Sequence, residues 1–345
     1  MNAKHLQFSA FVLLLAFVGL DAKRGRDQNT ILDNTDESAE DTRQGKVLSL
    51  FQIVRFPNDP CIGNGDKNGT CYTADECESK NGVSSGSCAD GFGVCCTFSA
   101  TCGSSTSENC TYFESTGSES GSCSIDICRC SDNICQLRLD FNQFVISGPS
   151  TDSTTIGLAV AGSATDIAAG VPVTAESQCL TDTFTVSNPG SRTPSVICGD
   201  NTGQHLYVDV CGETCNQLTF QLGNMGMGTA LATRNWNIKI TQYSCDYENL
   251  APDGCDQYFF GANTGTVESF NFAGGQHLAN QDQNICIRRE RGNCRICWTT
   301  AEMGDFMVSG MTPSMGVIMV CSGILEDRSY DFDQITPKNV LLSFK

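Results

Sequence analysis

Cysteine placement bounds this chain more tightly than any other feature: there are 22 cysteines, and none precedes Cys61. An even number of thiols behind an export signal reads as a disulfide framework, and such frameworks persist only in an oxidising compartment. The export signal is Lys4 and His5 ahead of the apolar run Phe8 to Leu20, with Ala22 as the small residue before Lys23. The run is shorter than the about 20 residues that span a bilayer. No later segment reaches that length without polar residues, glycine or charge. The expectation is a signal peptide over 1–22, a secreted extracellular product and no membrane span.

A formal net charge of -18 argues against a nucleic-acid partner, because phosphate binding needs concentrated Lys and Arg. The local exception is Arg288, Arg289, Arg291 and Arg295. This cluster reads first as a solvated hairpin turning at Arg291-Gly292-Asn293, and second as a meeting point for an acidic glycan or protein surface.

Residues 23–56 are an acidic linker followed by a short apolar segment. DQNTILDNTDESAEDTRQ holds too few apolar residues to repay the entropy of ordering. VLSLFQIVRF, from Val47 to Phe56, suggests a short strand or a docking segment. Next, Cys61, Cys71, Cys77, Cys88, Cys95 and Cys96 crowd into a module, 57–98, too small for a hydrophobic core. Six cysteines allow fifteen pairings, and spacing alone does not choose among them. Their order, closing on Val94-Cys95-Cys96, resembles the arthropod clip domain. That resemblance implies Cys61 with Cys95, Cys71 with Cys88 and Cys77 with Cys96.

From 101 to 245 the sequence reads as β throughout, with turns rich in glycine, serine and asparagine. Leu137, Leu139 and Phe141 alternate with Arg138 and Asp140. Leu206, Val208 and Val210 share a face opposite Tyr207 and Asp209, and Trp236, Ile238 and Ile240 alternate with Asn237 and Lys239. Short strands at this spacing suggest two packed antiparallel sheets. The stretches ICQLRLDFNQFVI, CLTDTFTV, VICGD and WNIKITQ resemble strands of the CUB domain, an extracellular β-sandwich. By that resemblance Cys179 pairs with Cys198, and Cys135 with an upstream cysteine such as Cys102 or Cys110.

After a hinge at DYENLAPDG, a second unit over 255–345 opens with GCDQYFFGANTG and looks like a second, partial CUB domain. Beyond Cys321 it has no Cys-Gly pair, so the tail either supplies an unusual last strand or leaves the unit poorly ordered. Six cysteines fall in the first module, eleven from Cys102 to Cys245 and five from Cys255 to Cys321. The two odd totals call for a bridge between units or a free thiol in each, and Cys245 with Cys255 is the simplest bridge. The expected fold class is therefore all-β: a CUB-like antiparallel sandwich, one complete and one partial, preceded by a small disulfide-rich clip-like module.

Catalytic chemistry is not expected. The chain after the signal has His205 and His277 alone as histidines and lacks Gly-Asp-Ser-Gly-Gly, so no serine-protease triad is apparent. Gly82-Val83-Ser84-Ser85-Gly86 fits a hydrolase pattern that has meaning only on a strand-to-helix turn of an α/β sheet, whereas here it lies between stapled cysteines. Cys294-Arg295-Ile296-Cys297 has redox or zinc spacing but reads as part of a structural disulfide set. The methionines four apart from Met303 to Met319 are interrupted by glycine and proline. Many CUB domains bind calcium, and Asp182 matches one family aspartate; a lone carboxylate is weak support for an ion that takes six to eight oxygens. No cofactor is expected. Asn68-Gly69-Thr70 and Asn109-Cys110-Thr111 are glycosylation acceptors. The functional expectation is a secreted, non-enzymatic protein-recognition or adaptor protein acting through CUB-like sandwich loops toward extracellular proteins. The alternative is a non-catalytic regulator or cofactor of an extracellular serine protease cascade, in immunity or cuticle formation.

Overall fold

A computed structural model describes residues 54–150, 177–210, 215–223, 234–293, 295–300, 306–308, 320–323 and 337–344. The signal, the acidic linker and the apolar residues 47–53 lie outside this set, as do Cys294 and most of the methionine series.

The cysteine-rich module is built on four strands: β1 (Pro60–Ile62), β2 (Asn68–Tyr72), β3 (Val83–Cys88) and β4 (Gly93–Ala100). Between β2 and β3 one short helix, α1 (Ala74–Ser79), starts at Thr73, whose hydroxyl accepts the Glu76 N–H at 3.2 Å. Asp75 and Glu76 in its first turn complement the helix dipole. Three disulfides, Cys61–Cys95, Cys71–Cys88 and Cys77–Cys96, replace the core that so short a chain cannot supply. The stretch Gly82 to Gly86 leads into β3, where Val83 and Ser84 pair with β4 ahead of a bulge, rather than turning into a helix.

Strand β4 does not end with the module. Its first half pairs with β2 and β3, and its second half, Phe98 to Ala100, pairs in parallel with β6 (Thr111–Glu114). Module and sandwich are thus joined through one continuous sheet. Side chains reinforce the joint: Lys67 meets Glu114 at 2.7 Å, Lys80 meets Glu108 at 3.1 Å, and the Tyr112 hydroxyl accepts the Asn68 N–H at 2.7 Å.

The sandwich proper faces that sheet, continued by β12 (Asn235–Ser244), β8 (Ile134–Val145) and β10 (His205–Asp209), against a second sheet. The second sheet has the order β5 (Ser105–Thr106), β7 (Gly121–Ile127), β11 (Asn216–Leu222) and β9 (Asp182–Ser187). Alternation places Leu137, Leu139, Trp236, Ile238 and Ile240 inward from one sheet and Ile125, Phe184, Val186, Leu218 and Phe220 inward from the other, all buried. Phe220 stacks on Trp236 with ring centroids 4.1 Å apart. Strict alternation fails at Phe141 and Phe144, which both enter the core. A bulge opposite Asn237 and Ile238 leaves Asn142 unpaired and resets the phase of β8.

Four disulfides hold this sandwich, and strand register explains two of them. Cys135 bridges Cys245 rather than Cys102 or Cys110, because β8 and β12 are antiparallel neighbours with Gln136 opposite Tyr243. Cys102 instead joins Cys123. Cys128 joins Cys215, since Ile127 lies opposite Asn216. Cys179 joins Cys198. The expected Cys245–Cys255 link is absent: Cys255 bridges Cys286, next to the parallel pairing of β13 (Gln257–Phe259) with β15 (Ile285–Ile287). Among the described residues Cys110 and Cys130 remain as thiols.

The C-terminal segment adds β14 (Gly265–Glu268), β16 (Arg295–Thr300), β17 (Phe306–Val308), β18 (Val320–Gly323) and β19 (Pro337–Phe344). The tail does supply a last strand: β19 pairs with β14, β16 and β17. The cluster of arginines is not a hairpin, because β15 and β16 belong to different sheets. Nor is the stretch before Cys255 a free hinge. Ala251 is buried, its N–H donating to Gln136 Oε1 at 2.8 Å and its carbonyl accepting from Gln136 Nε2 at 3.1 Å.

Candidate recognition surfaces

The C-terminal segment is built into the sandwich. Phe270 and Leu278 enter the main core, and Asn271, 1% exposed, is locked by hydrogen bonds to Asn201 and the Asp200 N–H. Gly199, at φ 82°, allows this approach; a Cβ there would fall on the Asn271 amide. Tyr207, on the face of β10 opposite Leu206 and Val208, is also buried because this segment covers it: it packs with Ala251, Cys255 and Tyr258, and its N–H donates to the Asp256 carbonyl at 2.8 Å. Beside it, His205 Nε2 accepts the Tyr258 N–H at 3.1 Å. Burial, aided by the Arg138 charge, lowers the His205 pKa to about 4, so the imidazole is neutral at physiological pH. Arg192 pairs with both Asp256 and Asp282. The Asp256 carboxyl is held above its ordinary value by burial, against the pull of the Asn284 N–H and Arg192.

At one end of the sandwich, Asp182 and Arg234 form a buried bidentate pair, Oδ2 to Nε at 2.8 Å and Oδ1 to a terminal nitrogen at 2.7 Å. The Ser147 and Gly223 N–H groups complete the shell at 2.9 and 3.0 Å. Burial alone would raise the Asp182 pKa, but Arg234 and these donors hold it below 3.8. Both Asp182 oxygens are taken by these donors, and the residue ties the flanks of β8, β9, β11 and β12 together. Among the described residues no group of three metal-ligating side chains occurs.

With the frame so fixed, what it presents outward is selective. Six large apolar residues are exposed among the described residues: Val54, Ile62, Val83, Phe92, Leu180 and Val196. Ile62 follows Cys61, Phe92 lies between Cys88 and Cys95, Leu180 follows Cys179, and Val196 is two residues before Cys198. Ile62 and Leu180 adjoin a bridged cysteine, Val196 is one residue removed from one, and Phe92 sits in the six-residue stretch between two. Phe92 and Val54 rim a cleft of about 390 Å³ on the cysteine-rich module, with Phe56, Pro57 and Pro60 in its wall. Cys179 and Val196 line a second of about 290 Å³, completed by Ala279 and Asn280 of the C-terminal segment. Val54, Val83, Leu180 and Val196 lie in stretches the sequence marks as strand-like or as motifs, without a sign that they face solvent, whereas Ile62 and Phe92 belong to no periodic run or motif.

The two glycosylation acceptors differ. Asn68, half-buried on β2, has no partner for its side chain in the described hydrogen bonds. Asn109 uses its side chain as a strand would: Nδ2 donates to the Gln242 carbonyl at 3.1 Å, and Oδ1 accepts the Gln242 N–H at 2.8 Å.

No helix among the described residues is long and apolar enough to cross a membrane. Among curated proteins, none matches the chain. The solved structure of the CUB1-EGF-CUB2 domain of human MASP-1/3 is similar at 12% identity, over 68% of this chain and 92% of that one, with a TM-score of 0.24. Residues 252–338, about a quarter of the chain, match the family of the animal CUB domain, so the recognisable kinship lies in the C-terminal segment that closes over β10 and completes the second cleft.

Proposed function

We propose that this is a secreted, non-enzymatic protein that recognises other extracellular proteins through apolar side chains held on a disulfide frame. The carrying observation is the exposure of Ile62, Leu180 and Val196 within two residues of bridged cysteines, and of Phe92 between two of them. Exposed apolar groups cost solvation in a free protein and are the anchors that interfaces bury. Holding them rigid lowers the entropy lost on binding. The animal CUB domain match and the disulfides support the extracellular assignment.

The alternative, a regulator of a protease cascade acting through a clip-like module, draws on a separate observation. Three of the six exposed apolar residues, Ile62, Val83 and Phe92, lie on the cysteine-rich module, Val54 lines a cleft against it, and its bridges are those the clip resemblance implies. Because β4 runs from the module into the sandwich's first sheet, cutting the chain near 98–101 would sever a strand, so the test uses the full chain. The full-length protein is immobilised and used to capture proteins from extracellular fluid, in parallel with Phe92→Asp and Leu180→Asp variants. A partner lost with Phe92→Asp alone assigns the module; one lost with Leu180→Asp alone assigns the sandwich end. Capture of no protein that responds to either variant would refute the proposal.

A further inference from the structure

The stretch Ile285 to Thr300 carries Arg288, Arg289, Arg291 and Arg295 against a single acid, Glu290, in a chain of net charge -18. The structure shows how that acid is used. Glu290 Oε1 accepts from Arg288 Nε at 2.8 Å and from the Gly261 N–H at 2.7 Å. Arg288 itself lies over the Phe260 ring at 5.1 Å and bonds Asn249. Arg289, Arg291 and Arg295 are all exposed, and none makes an ion pair within the described residues. The turn between them is set: the Asn293 N–H donates to the Glu290 carbonyl at 3.1 Å, Gly292 takes φ 89°, and the Asn293 side chain bonds Asn263 at 2.8 Å.

We propose that Arg289, Arg291 and Arg295 form a binding site for sulfated polysaccharide. Guanidinium groups pair bidentately with sulfate oxygens and hold that geometry better than lysines. None of the exposed large apolar residues of the described chain lies in this stretch. A protein interface needs an apolar core inside its charged rim, whereas a polyanion needs only the charges, and this favours the glycan over an acidic protein. At physiological ionic strength the screening length is about 8 Å, so the overall negative charge does not cancel a local cluster at contact range. The site shares no residue with the apolar positions of the proposed protein recognition, and either assignment stands without the other.

The test is retention of the full-length protein on immobilised heparin, with dissociation constants measured at several salt concentrations. The wild type binds in about 0.15 M salt, and the logarithm of its affinity falls with the logarithm of salt at a slope near 3, one counterion per arginine. The combined Arg289→Ala, Arg291→Ala, Arg295→Ala variant, whose changes are all exposed, loses at least about tenfold in affinity with unchanged thermal unfolding. Arg55→Ala, at an exposed arginine just before the cysteine-rich module, retains wild-type affinity. Absence of wild-type retention, equal retention on desulfated heparin, equal affinity for polyglutamate, or an unaffected triple variant would each overturn the assignment.

Discussion

Asp182 and Arg234 meet in a bidentate ion pair with side chains 0% and 8% exposed, joining the start of β9 to the residue before β12. A buried pair of this kind is costly to break from one side, because the surviving charge is left without a partner. Arg234→Met is expected to lower stability by about 3 to 5 kcal/mol, while Asp182→Asn with Arg234→Met loses less. Denaturant unfolding with disulfides intact checks this. The carboxylate is held below its ordinary 3.8, so its contribution is full above about pH 4 and is lost as pH falls through the folded value. A double variant as unstable as Arg234→Met would remove the buried charge as the cause.

His205 sets a second pH dependence of known sign. In the folded protein it stays neutral down to about pH 4, whereas the unfolded imidazole protonates below 6.5. Stability is therefore highest above pH 6.5 and declines by about 3 kcal/mol as pH falls to 4, after which both states carry the proton. The groups facing it are Arg138 and Asp140 from β8, Tyr207 from β10 and Tyr258 and Phe259 from β13. Asp256, raised by burial, works in the opposite direction, so the effect is read as the difference between wild type and His205→Asn. Parallel stability profiles for the two between pH 7 and 4 would contradict it.

The thiols of Cys110 and Cys130 are unbridged, and burial pushes both pKa values up. Cys130 is exposed and Cys110 only partly so. Alkylation of the native protein followed by peptide mapping should label Cys130 before Cys110, and the same map without reduction should recover Cys135 linked to Cys245. Recovery of Cys245 linked to Cys255 would contradict the register of β8 with β12.

Attachment of a glycan should fall on Asn68. A sugar on Asn109 Nδ2 crowds the two hydrogen bonds that hold Gln242. Enzymatic deglycosylation of protein secreted from eukaryotic cells should shift the intact mass by one chain, and Asn68→Gln should abolish that shift. A shift that persists in Asn68→Gln would show Asn109 occupied.

What could be read from sequence and what could not separate along a physical line. Strands β8 and β12 were legible because Leu137 and Leu139, and Trp236, Ile238 and Ile240, alternate on one buried face. The burial of Tyr207 was not, because the residues that cover it, Asp256 and Tyr258, lie some fifty positions later and the alternation carries no sign of a third layer. Cys135–Cys245 needed the register of two strands 110 residues apart in bridge separation, which spacing does not contain. Asp182 was visible as a candidate ligand, but its meaning depends on Arg234, which only the fold brings to it. The exposed Ile62 and Phe92 were invisible for the opposite reason: an apolar residue in a cysteine-rich stretch reads as core until the structure shows it in solvent.

The most direct measurement is the dissociation constant of a purified extracellular partner for the wild type, Phe92→Asp and Leu180→Asp. Both residues are more than half exposed, so neither change disturbs the core. Introducing a charge into an apolar anchor is expected to weaken binding at least about tenfold at the surface that is used, and to leave it unchanged at the other. Unchanged affinity in both variants, with folding intact, would contradict recognition through these disulfide-held apolar positions.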